Sequence, residues 1–209
     1  MSLLLHLDHL GASQRTLLSG LHLQIPPGTV HTLMGPSGSG KSSVLAVIAG
    51  TLSDGLEWRG QVQLDGRALE ALPAQARRVG MLFQDDLLFP HMTVRENLLF
   101  AAPRGPAPER AHRVQEALAS VEMQGYDDAD PSTLSGGQRI RIALARALLP
   151  QPAALLLDEP FSRLDMALRG RIRALVFAQV AQRQIPALLV THDPADIASA
   201  QALTVLQPC

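Results

Sequence analysis

The amino-acid sequence predicts an α/β fold built on a parallel sheet, and three observations carry that expectation. Residues 153–157 (Ala-Ala-Leu-Leu-Leu) and 187–191 (Ala-Leu-Leu-Val-Thr) are short apolar runs without alternation, the pattern of parallel strands covered on both faces. A β-branched and apolar run at 30–34 leads through a glycine-rich stretch into residues 43–49, which are apolar and free of breakers until Gly50. Residues 86–150 read as mostly helical, an insertion into a chain that otherwise alternates strand and helix.

The elements follow in order. Residues 3–7 and 21–25 are short strand-like runs, and the second alternates apolar and polar, so one of its faces is expected to be solvated. Pro26-Pro27-Gly28 is a turn into the strand at 30–34. Val62-Gln63-Leu64 followed by Asp65-Gly66 reads as a hairpin edge, and residues 79–83 as a buried strand ending at Gln84. Thr93 with Glu96 three residues later has capping-box spacing for a helix to residue 102. Residues 103–108 form a linker, and Ala111, Val114, Ala117, Leu118 and Val121 recur at helical spacing. A long helical run from Arg139 to Leu149 precedes the strand at 153–157. Leu164, Leu168, Ile172, Leu175 and Val176 mark an amphipathic helix, and residues 203–206 a last short strand.

The glycine-rich stretch is Gly35-Pro36-Ser37-Gly38-Ser39-Gly40-Lys41-Ser42, followed by Ser43. Its G-x-x-x-x-G-K-S pattern, between strand and helix, is the context a phosphate-binding loop requires. The glycines let successive N–H groups turn inward toward an anion, and the new helix adds its positive end. Lys41 supplies a compact charge to the outer phosphates, and the Ser42 hydroxyl a ligand for Mg²⁺. Lys41 is the sole lysine; the other basic residues are all arginine. Composition therefore does not account for a lysine here, whereas a point-charge phosphate binder does. The stretch reads as a nucleoside triphosphate site.

Asp158-Glu159 ends the strand at 153–157, and ligands gather at the carboxyl ends of strands in doubly wound sheets. Asp158 suits Mg²⁺, through water, and Glu159 is placed to polarise an attacking water. Leu134-Ser135-Gly136-Gly137-Gln138 opens the following helical run, with Ser135 as cap and two glycines baring the backbone. That makes a second anion-binding helix start.

Composition limits the remaining classes. The 209 residues suit one domain, or one with a sizeable insertion, and 46% hydrophobic with 18% charged residues is globular. A net charge of −1 with scattered arginines argues against nucleic acid as a partner. The single cysteine, Cys209, excludes a disulfide framework and a Cys-rich metal site, which fits a reducing cytosol. The first residues lack a basic n-region, so no signal peptide is expected, and no apolar stretch approaches a membrane span.

Leu134–Gln138 matches the signature motif of ATP-binding cassette (ABC) ATPases, and the phosphate loop, Gln84, Asp158-Glu159, Ser162-Arg163-Leu164-Asp165 and His192 stand in that family's order. The resemblance covers essentially the whole chain. It implies a P-loop NTPase fold, one ABC domain over 1–209. Residues 1–85 and 151–209 would form a RecA-like core plus an N-terminal antiparallel β-subdomain, and 86–150 a helical signature subdomain. It further implies ATP and Mg²⁺ as ligands, with Gln84 sensing the metal and His192 holding the γ-phosphate. A second copy would pack head to tail, its Ser135 to Gln138 facing the phosphates held by Lys41, and its Asp165 meeting the phosphate loop. The stretches 80–97 and 134–165 look especially like bacterial importer ATPases. Such ATPases sit peripherally on the cytoplasmic face of the inner membrane. They work with two transmembrane permease subunits and, indirectly, a periplasmic or extracellular substrate-binding protein. A non-transport ABC ATPase and an exporter ATPase are the alternatives.

Two departures stand out. Family members stack adenine on an aromatic near the position of Gly11-Ala12, yet no Phe, Trp or Tyr precedes Trp58. Stacking is worth about 1–3 kcal/mol on aromatic platforms, so nucleotide affinity is expected to be roughly tenfold or more weaker unless His9 or Leu10 substitutes. Arg163 stands where the family has a small residue, and is expected to point to solvent.

Overall fold

Alternating burial along the first two strands builds the first sheet. The computed structural model describes residues 1–12 and 15–206; the sole cysteine, Cys209, lies outside them. Strand β1 (Leu3–Ala12) pairs antiparallel with β2 (Arg15–Ile25) and with β4 (Glu57–Leu64), which turns at Asp65-Gly66 into the two-residue β5 (Arg67–Ala68). The order is β2-β1-β4-β5. Both long strands reach beyond the runs expected from sequence, because their polar ends still pair while leaving one face in water.

The parallel sheet runs β6-β7-β8-β3-β9, from β3 (Val30–Met34), β6 (Val79–Leu82), β7 (Ala154–Asp158), β8 (Ala187–Thr191) and β9 (Leu203–Val205). Strands β7 and β8 are buried along almost their whole length, which explains their unbroken apolar sequence. Helix α1 (Lys41–Ala49) follows β3. Leu5, Leu7 and Leu10 of β1, Val44, Leu45 and Ile48 of α1, and Leu156 and Leu188 of the parallel sheet share one core. Both sheets therefore rest on a single buried interior. Arg77 ends α1 from outside, donating to the carbonyls of Val47 (2.7 Å) and Ile48 (3.0 Å) in its last turn.

The chain divides into two compact units, residues 1–81, 153–159 and 180–209 in one, and 82–152 with 160–179 in the other. The second holds α2 (Val94–Ala101), α3 (Ala107–Ser120), α4 (Gly136–Leu148) and most of α5 (Met166–Arg183). Helix α2 begins with the expected capping box, Thr93 bonding reciprocally with Glu96. Leu98 of α2, Leu118 of α3, and Ile142 and Leu144 of α4 are all buried with 0% exposure inside this second unit. Buried Asn97 ties down the loop before α2, accepting from Phe89 N (2.8 Å) and donating to the carbonyls of Phe89, Met92 and Thr93.

Candidate nucleotide site

The phosphate loop joins β3 to α1 as its sequence demands. Gly38 (φ 79°) and Gly40 (φ 86°) lie in the left-handed region, where a side chain would strain the turn. Gly40 caps α1 without a side chain, so the first N–H groups of the helix have no side-chain acceptor at the cap. Those bare donors and the helix dipole make an anion seat. Lys41 is 5% exposed, and its Nζ donates to the carbonyls of Gly35 and Pro36, both at 2.8 Å. The ammonium is thus held against the loop's own backbone. The Ser39 hydroxyl is buried beneath the loop with no hydrogen-bond partner.

Two carboxylates reach this loop's surroundings from the end of β7. The Ser42 hydroxyl donates to Asp158 Oδ1 at 3.0 Å. Burial pushes the Asp158 carboxyl up from the ordinary range; the Ser42 bond and Lys41 pull it back in part, while Glu159 adds to the rise. A cation at Asp158 would remove that desolvation penalty. Glu159 takes a left-handed backbone (φ 46°), its N–H donates to Val190 O at 3.0 Å, and its Oε2 lies 3.0 Å from His192 Nδ1. A cavity of about 370 Å³ lies between Leu17, Ser37, Gly38, Gly40 to Ser43 and Glu159, within the size range of small-ligand sites. Of the residues expected from sequence, residues 35–43, Asp158, Glu159 and His192 share the first unit.

His192 owes its place to a buried acid that sequence reading overlooked. Asp196, 1% exposed, accepts from the Thr191 hydroxyl at 2.9 Å, and that hydroxyl accepts Asp193 N at 3.1 Å. A second overlooked group is Arg15, Thr16 and Leu17 of β2. With Pro36 to Ser39 they line a recess of about 330 Å³ against the loop. No local pattern marked them, because the pairing that extends β2 down to Arg15 is made by β1.

Position 11 cannot carry an aromatic platform, because a Cβ there would stand 2.3 Å from Arg15 O. Leu10 is fully buried, so it offers no face to a base, which removes one of the two expected substitutes; His9 is half-buried on β1. Arg15 and Thr16 supply the exposed side chains beside the loop instead, with Leu17 half-buried next to them.

Gln84, Ser135 to Gln138 and Asp165 belong to the second unit. Ser135 caps α4 in a full capping box with Gln138, which also donates to the Tyr126 hydroxyl at 2.9 Å. Asp165 caps α5, accepting Leu168 N at 3.0 Å. Gln84 is exposed after β6. Arg163 pairs with Asp85 across an exposed surface, so its guanidinium is partnered rather than simply solvated as the sequence led us to expect.

Among the described residues, no three His, Cys, Asp or Glu side chains gather to hold a metal. A cation bound by Ser42 and Asp158 would therefore keep most of its shell from water and ligand oxygens, a donor set that suits Mg²⁺ and not zinc.

The ABC transporter family model matches residues 18–162. An uncharacterized ABC transporter ATP-binding protein, YnjD, of Escherichia coli K12 is 46% identical over 184 residues, 87% of this chain and 84% of that protein. The spermidine/putrescine import ATP-binding protein PotA of Oleidesulfovibrio alaskensis is 42% identical over 178 residues, 84% of this chain and 47% of that protein. The Fe(3+) ions import ATP-binding protein FbpC of E. coli K12 is 40% identical over 183 residues, 87% of this chain and 52% of that protein. The chain thus spans about half the length of the import proteins it matches. With a family match across most of its length and a relative matched nearly end to end, the chain belongs to the ABC transporter family of ATP-binding proteins.

Proposed function

We propose that this chain is the ATP-binding and ATP-hydrolysing subunit that energises substrate import by a bacterial ABC transporter. The observation that carries it is the division of labour at the end of β7. Adjacent carboxylates take different partners, Asp158 the Ser42 hydroxyl beside the phosphate loop and Glu159 the His192 imidazole. One is set to hold a cation against phosphate, the other to orient water as a base.

In this reading Lys41 exchanges its two backbone acceptors for phosphate oxygens, and the open N–H groups of α1 bind the same anion. Mg²⁺ would be held by Ser42 and Asp158, with Gln84 as a further oxygen ligand, and would neutralise charge on the phosphates. Glu159 accepts a proton from the attacking water while His192 holds the γ-phosphate. Ser135, Gly136, Gly137, Gln138 and Asp165 act across a head-to-tail dimer, facing the loop of the second copy. The helical block at 86–150 carries the motion to two transmembrane permease subunits at the cytoplasmic face of the membrane, and through them to a substrate-binding protein. Among the described residues no helix is long and apolar enough to cross a membrane, so contact with the bilayer would come through those partners. The likeness to import proteins supports import over export.

The test is to measure ATP hydrolysis against chain concentration and to purify the chain with its membrane partners. Turnover per chain that rises with concentration and co-purification with a polytopic membrane protein are expected. Hydrolysis independent of concentration overturns the shared site, and a chain that brings no membrane protein with it overturns the transporter role.

A further inference from the structure

We propose that Arg139 is a positioning residue that couples the segment following Gln84 to the Leu134–Gln138 turn, through one guanidinium bonded to both. Arg139 Nε donates to Asp86 Oδ2 at 2.9 Å, and Arg139 Nη1 donates to Leu134 O at 2.6 Å. Asp86 stands two residues beyond Gln84, and Leu134 is the residue before the Ser135 cap. These two loops are therefore joined by a single rigid plane inside the second unit. The inference rests on the function proposed above, in which both loops face nucleotide.

The segment at 85–88 is held from several sides. The second oxygen of Asp86 accepts Leu88 N at 3.1 Å. Arg146, seven residues after Arg139 and so on the same face of α4, donates to Asp86 O (2.9 Å) and Leu87 O (2.7 Å). Arg163 holds Asp85. Leu87 sits at φ 50°, a left-handed conformation that a leucine adopts only where its surroundings impose it. Three arginines thus impose a shape that the local sequence does not favour. A displacement of Gln84 passes to Asp86 and, through Arg139, pulls on the carbonyl that precedes Ser135.

Two physical points separate this role from simple stabilisation. The Arg139–Asp86 pair is 37% and 28% exposed in its side chains, and partly solvated pairs contribute little to folding. The carboxylate and the carbonyl are also met by two different nitrogens, Nε and Nη1, held apart in one plane, whereas all the donors of a lysine radiate from a single nitrogen.

The experiment compares steady-state ATP hydrolysis by the full chain carrying Arg139→Ala, Arg139→Lys, Asp86→Ala and the Arg139→Ala/Asp86→Ala pair, with melting curves for each. Each single variant is expected to lower kcat by about five- to tenfold while the KM for ATP and the melting temperature stay close to wild type. The double variant should be no slower than the worse single one, and Arg139→Lys should behave as the alanine variant does. If Asp86→Ala fails to fold, Asp86→Asn keeps the acceptor for Leu88 and removes only the charge. Unchanged kcat, multiplying effects in the double variant, full rescue by lysine, or losses that follow the melting temperature each overturn the proposal. Absence of hydrolysis in the wild type overturns the function proposed above and is distinguishable from all of these.

Discussion

Glu159 Oε2 lies 3.0 Å from His192 Nδ1, which joins the end of β7 to the end of β8 beside the phosphate loop. The imidazole fixes the carboxylate, and the Thr191–Asp196 bond fixes the turn that carries the imidazole. Glu159→Gln preserves size and keeps a hydrogen-bonding group toward His192, but removes the base. Hydrolysis is expected to fall roughly 10²- to 10⁴-fold, with nucleotide affinity close to wild type. Single-turnover assays beside a binding titration check this, and near-normal turnover would remove Glu159 from its role.

Asp158 gives a pH dependence of definite sign. Burial raises its pKa in the folded chain, so the folded state holds that proton more tightly than the unfolded state does. Between the ordinary Asp value, about 3.9, and the raised one, lowering the pH favours folding at this site, and raising it removes that contribution. Ligand-free Asp158→Asn should therefore melt above wild type near neutral pH, with the difference shrinking as the pH falls through the window. Mg²⁺ affinity of the wild type runs the other way, weakening as Asp158 takes up its proton. Melting curves across pH, with and without Mg²⁺, read both effects, and an Asn variant that melts lower at neutral pH contradicts the assignment.

What was legible in the sequence was local. Residues 35–42 bring their own conformation, because glycines at 38 and 40 adopt φ values that few other residues tolerate. The capping box at Thr93 and the helix cap at Ser135 are likewise local, each closed within four residues. Strands β7 and β8 announced themselves by composition, since a strand buried on both faces has no polar positions to hide it. What escaped was set by partners far along the chain. The pairing of β2 down to Arg15 depends on β1, the Asp86–Arg139 bond spans 53 positions, and Arg163 finds Asp85 across 78. No short pattern encodes such contacts; they exist only once the helices have packed.

Lys41 is the next point of test. Its Nζ bridges two loop carbonyls at 2.8 Å, so Lys41→Ala strands two acceptors and removes the charge that meets phosphate. Charged hydrogen bonds are worth about 1.5–3 kcal/mol, so ATP affinity should fall about 10- to 100-fold. Lys41→Arg should not restore it, because the planar guanidinium does not fit where a compact ammonium sits. Calorimetric titration with ATP measures both, and wild-type affinity in the arginine variant would show that charge alone suffices.

Gly60 carries a stability expectation separate from the nucleotide. On β4 it faces β1 so closely that an added Cβ would stand 2.0 Å from the His6 carbonyl oxygen, and its φ of 142° is already one that side chains resist. Backbone cannot move aside as a flexible side chain would, so Gly60→Ala adds a clash to a conformational penalty. The two together are expected to cost about 3 kcal/mol or more, which lowers Tm by roughly 6–12 °C for a chain of this size. Gly66, with φ 77° and nothing within 4 Å of an added Cβ, separates the two contributions. Gly66→Ala meets only the conformational penalty, about 1 kcal/mol, and should shift Tm by roughly 2–4 °C. Thermal melts of both variants decide the matter. Equal shifts would show that the β1–β4 approach relaxes to admit a methyl group, and a Gly60→Ala shift several times larger would show that it does not.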